Sequence, residues 1–284
     1  MSEFTAACVQ LRSGKSVPDN IRASEDLIRQ AAAAGAHYVQ TPEMTNVLVR
    51  SRDELMERIS AEADDPCLHR YRELADELGV WLHAGSFAIL VEGGKVANRA
   101  FLISPEGVVA ARYDKIHMFD VDLPNGESWR ESATYEPGKN SVIADMPSIR
   151  MGMAVCYDIR FPAIFRSQAR EGAEMLTAPA AFTRQTGEAH WHVLQRSRAI
   201  ENGAYVVSAA QGGHHEDGRE TYGHSLIVDP WGAIVGELEN DEPGIVTAVI
   251  KPDEVAKARQ RIPAIANERQ FELEVVRQAQ EMPA

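Results

Sequence analysis

Three residues able to do chemistry stand where apolar runs end. Cys156 closes the run Arg150 to Val155, and Pro162 then opens a helix-like segment, Ala163 to Glu171, that Gly172 stops. Proline suits the first turn of a helix, where its missing N–H has no partner to lose. Cys156 is therefore expected at a strand end, just before a helix. In open α/β sheets ligands bind at the carboxyl ends of strands, and a backbone N–H there can face developing negative charge. Glu43, in Thr41-Pro42-Glu43, follows the apolar stretch His37-Tyr38-Val39. Lys115, in Tyr113-Asp114-Lys115, follows Val108-Val109-Ala110. A carboxylate can serve as base for a thiol, and an ammonium can stabilise an oxyanion. A lone cysteine is more often inert packing, and a lone Glu and Lys more often a surface ion pair. The three strand ends together point to chemistry.

The elements that must position these residues are legible from periodicity and punctuation. Phe4 to Leu11 reads as a first strand. Ile21, Leu27, Ile28 and Ala31 recur at helical spacing, with Asp19 or Asn20 as cap and Gly35 as stop. Asp64-Asp65-Pro66 starts a second helix with Leu68, Tyr71, Leu74, Ala75 and Leu78 on one face and Gly79 at its end. Glu92-Gly93-Gly94-Lys95 turns the strand Val80 to Leu90 into Val96 to Ser104. Ile116 to Asn140 is a long loop with Pro124, Gly126, Pro137 and Gly138, a length usually functional or disordered. Strands follow at Met175 to Ala178, Tyr205 to Ala210, Ser225 to Asp229, Ala233 to Glu237 and Ile245 to Ile250. A helix is expected over Gly187 to Asn202, a polar loop over Gln211 to Thr221, and a last helix from Pro252. From Ile262 the chain reads as an extended tail. No linker-like shift in composition divides it, so residues 1–265 form one domain with a mixed sheet and 266–284 a tail.

Composition narrows the class. The 284 residues carry a formal net charge of −13, with 25% charged and 44% hydrophobic residues. That balance argues against nucleic-acid binding, which needs a basic patch, yet leaves room for an anionic small substrate in a local pocket. Three cysteines, Cys8, Cys67 and Cys156, do not make a disulfide framework. They fit a reducing, cytoplasmic setting. No apolar run approaches the ~20 residues that span a bilayer, and no signal peptide is visible. Other motifs fail on inspection. Gly14-Lys15-Ser16 lacks the first glycine of a phosphate loop, since position 9 is Val. His190 and His192 face different ways on a helix, and no spacing completes a metal set. Gly223-His224-Ser225-Leu226-Ile227 begins like a serine nucleophile elbow but has Ile227 in place of its last glycine.

Pro42-Glu43, then Tyr113-Asp114-Lys115-Ile116-His117, then Cys156-Tyr157-Asp158-Ile159-Arg160-Phe161-Pro162 come in an order that resembles the nitrilase, or carbon–nitrogen hydrolase, superfamily. The resemblance covers Thr5 to about Arg269. It implies an α/β fold: an α-β-β-α sandwich of two six-stranded sheets, paired into an eight-layer αββααββα homodimer. It also implies that the helix after Cys156 and the helix Gly187 to Asn202, with Phe165, Trp191 and Leu194, are buried between protomers.

The same resemblance assigns roles. Cys156 is expected as nucleophile and Glu43 as a desolvated base with a pKa near the working pH. Lys115 and the backbone N–H of Tyr157 are expected at the oxyanion. A second glutamate supports substrate and water. The alignment set by Pro137-Gly138 favours Glu131, with Glu127 the alternative. Asp158 and Arg160 are expected to hold the elbow. Segments Thr186 to Trp191, Tyr205 to Gln211 and Tyr222 to Ser225 resemble the small-amide branch, which hydrolyses linear ω-amides of keto and dicarboxylic acids and deaminated glutathione, through a cysteine thioester, to a carboxylate and ammonia. Read from the residues themselves, the loop after the strand end at Pro179 carries Phe182, Thr183 and Arg184, the expected substrate wall and carboxylate clamp. No metal or cofactor is called for. The competing expectations are a catalytically silent dimeric binding protein, a nitrilase, or an N-carbamoyl amidohydrolase. True nitrilases usually carry Trp-Glu where this chain has Tyr157-Asp158.

Overall fold

The computed structural model describes residues 2–123 and 126–276. Pro124 of the long loop and the end of the tail lie outside them. Two six-stranded sheets stack face to face. One runs Gly244–Ile250, Phe4–Gln10, Tyr38–Gln40, Trp81–Val91, Lys95–Ile103, Val109–Asp114. The other runs Ile234–Glu237, Leu226–Val228, Tyr205–Ser208, Met175–Thr177, Arg150–Met153, Val142–Asp145. Each has three parallel strands at its centre and antiparallel strands outside them. The sheets are mixed, as expected.

Strand periodicity explains the layering. Successive side chains point to opposite faces, and in the first sheet both faces are apolar. Ala6, Cys8, Tyr38, Ala100 and Leu102 enter the core between the sheets, with Met151, Met153, Met175 and Val207 of the second sheet. Their neighbours Ala7, Val9, Val39, Phe101 and Ile103 face the other way and pack with Ile28, Ala31, Tyr71, Leu74 and Ala75. Those last five belong to the helices Val17–Ala33 and Pro66–Leu78. The helices Pro162–Arg170 and Arg184–Asn202 pack on the second sheet through Ile164, Phe165, Trp191 and Ala199. The order of layers is α-β-β-α, in a single domain.

Several expectations are corrected in detail. The first helix is capped by Ser16, whose hydroxyl accepts from the Asp19 amide, not by Asp19 or Asn20. Asn20 instead bonds Gly14 and the Asn46 carbonyl, tying the loop after the first strand. The helix expected from Gly187 starts at Arg184, because Thr183 turns the chain first. The two loops expected to lack structure carry small hairpins, Asp120–Asp122 with Ser128–Arg130 and Gly212–His214 with Glu220–Tyr222. Three-residue polar strands have too little alternation to be read from sequence. Phe165 and Trp191 are not available to a partner chain. They are 0% and 1% exposed within the protomer, and the Trp191 indole donates to the His224 carbonyl at 2.8 Å. The exposed large apolar residues of that helix are Val193 and Ile200. After the helix Pro252–Arg261 the described chain has no further helix or strand.

Candidate active site

Glu43, Lys115 and Cys156 stand just beyond the carboxyl ends of the strands Tyr38–Gln40, Val109–Asp114 and Arg150–Met153. The first two strands belong to one sheet and the third to the other. All three side chains line a single cavity of about 250 Å³. The sheets thus bring together residues that lie far apart in sequence.

Glu43 is fixed by its backbone surroundings. The carbonyl of Pro42 accepts from the Ser86 amide and the Thr45 hydroxyl, and the carbonyl of Glu43 accepts from Gln211 Nε2. Gly85 makes the close approach possible. A Cβ there would lie 2.0 Å from the Thr41 carbonyl oxygen, 2.6 Å from that of Pro42 and 2.7 Å from Pro179 Cβ. Pro179 in turn accepts from the Cys156 amide at 3.0 Å. One missing side chain therefore lets the Glu43 loop close against the segment that holds Cys156.

Cys156 itself has a left-handed backbone, φ 49°, and so does Met44 next to Glu43, φ 56°. Such conformations cost non-glycine residues on the order of 1–3 kcal/mol. Asp158 holds the elbow as expected. Its buried carboxylate accepts from Tyr113 Oη at 2.6 Å, from the Val155 amide at 2.9 Å, and from the His117 amide and ring at 3.0 and 2.7 Å. Arg160 does not share that task. Its guanidinium lies over the Phe182 ring, 5.1 Å from the centroid, and contacts His190.

The polar contacts form one network. Lys115 Nζ lies 2.9 Å from Glu43 Oε1 and 3.0 and 2.8 Å from the two oxygens of Glu131. The second Glu43 oxygen accepts from the Ala181 amide at 2.9 Å, and Glu131 accepts from the Phe119 amide at 2.6 Å. Glu131, not Glu127, is thus the second carboxylate on Lys115. Asn98 was missed by sequence reasoning. Its Nδ2 donates to Glu43 Oε1 at 2.9 Å and to Glu131 Oε1 at 3.1 Å. The signal available was one amide side chain in the apolar strand Lys95–Ile103, where it lies buried.

Protonation states follow from this arrangement. Burial alone would raise the Glu43 pKa. The Lys115 ammonium and hydrogen bonds from Lys115, Cys156 and Asn98 outweigh it, and the carboxyl is held below its ordinary 4.5. Desolvation was expected to bring it toward neutral pH; the adjacent cation reverses the direction. Burial would lower Lys115, but Glu131 and Glu43 carry it well above 10.5. Burial, then the Glu43 charge, pushes the Cys156 thiol well above 9.0. The resting site holds a carboxylate, an ammonium and a neutral thiol on one cavity. A carboxylate so placed can take the thiol proton as an electrophile arrives.

Phe119, Tyr157 and Phe182 wall the cavity, with Thr183 and Thr186 beside them. Arg184 is not in that wall. It is about half exposed and pairs with Glu188, Glu220 and Asp241. The cavity's guanidiniums come from Arg50, Arg130 and Arg219. The rejected motifs are structural. Ser225 is a buried strut between Gln10 and the Ala210 amide, and His192 pairs with Glu237.

The carbon–nitrogen hydrolase family model matches residues 5–260. The chain is 39% identical over 270 residues to the deaminated glutathione amidase of Synechocystis sp., covering 93% of this chain and 98% of that one. It is 34% identical over 271 residues to omega-amidase NIT2 of Homo sapiens, covering 95% and 96%. Among solved structures, the C. elegans NitFhit protein superposes with a TM-score of 0.89 at 33% identity. The match covers 95% of this chain and 66% of that longer one. With the motif residues gathered in one cavity on this fold, the chain belongs to the carbon–nitrogen hydrolase family and is a hydrolase of carbon–nitrogen bonds other than peptide bonds.

Proposed function

We propose that the protein is a thiol amidase acting on a linear ω-carboxamide that bears a distal carboxylate, with a deaminated-glutathione-like α-keto acid preferred over α-ketoglutaramate. The observation that carries this reading is the convergence of Glu43, Lys115 and Cys156 on one buried cavity, where a silent binding protein has no need of a thiol beside a buried carboxylate–ammonium pair. The substrate class rests on the relatives named above.

In the proposed cycle Glu43 takes the Cys156 proton as Sγ attacks the amide carbon. The oxyanion forms beside Lys115 Nζ and the Tyr157 amide. That amide sits in the first turn of the short helix Cys156–Arg160, where an N–H has no partner within the helix. The C–N bond breaks as Glu43 returns the proton to the leaving nitrogen, which departs as ammonia or amine. A thioester remains. Glu43 then takes a proton from water, hydroxide adds to the thioester, and collapse frees the carboxylic acid and restores the thiol. Glu131 keeps Lys115 charged and placed.

The test is a panel of ω-amides, neutral amides and nitriles, read by release of ammonia or amine. Fastest turnover of an α-keto ω-amide supports the proposal, and faster turnover of a nitrile overturns it.

We further propose a cytoplasmic homodimer. No helix among the described residues is long and apolar enough to cross a membrane, and a free nucleophilic thiol suits a reducing compartment. Val193 and Ile200 on the helix Arg184–Asn202 and the nearby Trp231 leave apolar surface exposed. Sedimentation of Val193→Glu should show monomer where the unaltered chain shows dimer; monomer in both would refute pairing.

A further inference from the structure

An acidic chain carries three guanidiniums on one cavity. Arg50, Arg130 and Arg219 line it with Trp129, although the formal net charge is −13. Two of them share one ring. Arg50 Cζ lies 4.4 Å and Arg219 Cζ 4.9 Å from the Trp129 ring centroid. Three separate segments therefore meet: the loop after Glu43, the hairpin strand Ser128–Arg130, and the loop before Glu220–Tyr222.

Stacking uses the face of a guanidinium and leaves its edge donors for hydrogen bonding. The existing carboxylates leave some of those donors unclaimed. Arg219 uses Nε and Nη2 on the single Asp217 Oδ2, both at 2.7 Å. Arg50 approaches Glu127 at 3.9 Å, beyond hydrogen-bond length. Arg130 is spent on both oxygens of Asp122. Glu220, the acidic residue of this part of the wall, is engaged by Arg184 and His214.

We propose that Arg50 and Arg219, stacked on Trp129, form a subsite for a substrate carboxylate remote from the scissile amide. They take the place that sequence reasoning gave to Arg184. The inference rests on the amidase reading above and deepens its substrate class. A substrate with one carboxylate on its acyl fragment and another on its leaving amine offers two sources for the bound group.

Three amides separate them: α-ketoglutaramate, its N-carboxymethyl derivative, and its N-carbamoylmethyl derivative, which has nearly the same shape but a neutral leaving amine. Steady-state constants are measured for the unaltered enzyme, Arg50→Ala and Arg219→Gln. The Asp217 side chain is only 2% exposed, so the second variant can fail to fold; exposed Arg50 keeps the test open. If the leaving fragment supplies the carboxylate, the KM ratio of N-carboxymethyl to N-carbamoylmethyl amide rises roughly tenfold in Arg50→Ala, the worth of one charge-assisted hydrogen bond. If the acyl fragment supplies it, all three KM values rise together, while that of a neutral amide such as butyramide does not follow. Equal change for charged and neutral amides overturns the subsite. Should the unaltered enzyme refuse all three keto amides, the substrate reading fails, and the succinamate-to-butyramide KM ratio decides the subsite on its own.

Discussion

The Glu43 carboxylate and the Lys115 ammonium lie 2.9 Å apart, with side chains only 6% and 2% exposed. A buried pair of this kind is not evidence of stability, because desolvation offsets much of the attraction. Its consequence is electrostatic. The ammonium holds the base's pKa below its ordinary value, and burial, with the charge of the base, raises that of the neighbouring thiol.

The pH dependence of kcat/KM should therefore be broad. Glu43 is held below 4.5 and Cys156 well above 9.0, so activity should be level between those values, with the acid limb at or below the lower one. The sign for stability agrees: a depressed carboxyl contributes above its unfolded pKa, and the contribution is lost as pH falls through its folded value. An acid limb near pH 6 to 7 in a pH–rate profile would contradict the assigned base.

Glu131→Ala should leave the Lys115 ammonium with Glu43 as its one carboxylate partner. Breaking a buried pair costs about 3–5 kcal/mol, so Tm should fall. The kcat should drop by up to about 100- to 1000-fold, the worth of the oxyanion group that Glu131 holds in place. Wild-type kcat in this variant would remove Glu131 from the site.

Gly85→Ala tests the packing that joins the two strand ends. Its new methyl would collide with the Thr41 and Pro42 carbonyls and with Pro179. Overpacking costs about 1–3 kcal/mol, and the Glu43 loop must move to relieve it. Thermal melting and kcat should fall together; a variant with both unchanged would show that the contact positions nothing.

Thiol accessibility should single out Cys156. Cys8 and Cys67 are fully buried, and burial drives both thiols up, whereas Cys156 keeps 8% exposure in the cavity. Iodoacetamide on the folded protein, read by peptide mass, should modify Cys156 first and inactivate in step. First modification at Cys67 without Cys156 would argue against the cavity as drawn.

Much of this was legible because strand ends are marked by abrupt changes of residue type. Pro42-Glu43, Asp114-Lys115 and Val155-Cys156 each break an apolar run, and the sheets brought all three together. Helix stops at Gly35, Gly79 and Gly203 read correctly because left-handed caps select glycine. What sequence could not give was set by tertiary neighbours. Asn98 looks like any polar residue in a strand until two carboxylates flank it. Arg184 and Arg219 look alike as loop arginines, and only packing sends one to surface acids and the other to the cavity. The direction of the Glu43 pKa depended on the Lys115 charge overcoming burial, a contest of distances that no spacing encodes.

The central claim, that Cys156 is the nucleophile, is tested most directly by the turnover of Cys156→Ala on the best amide of the panel, in protein shown to be folded by circular dichroism. Losing the group that forms the thioester should lower kcat by at least about 1000-fold, as removal of a nucleophile does elsewhere, while Cys8→Ala and Cys67→Ala retain activity. Ammonia or amine release by Cys156→Ala within tenfold of the unaltered enzyme would contradict the account.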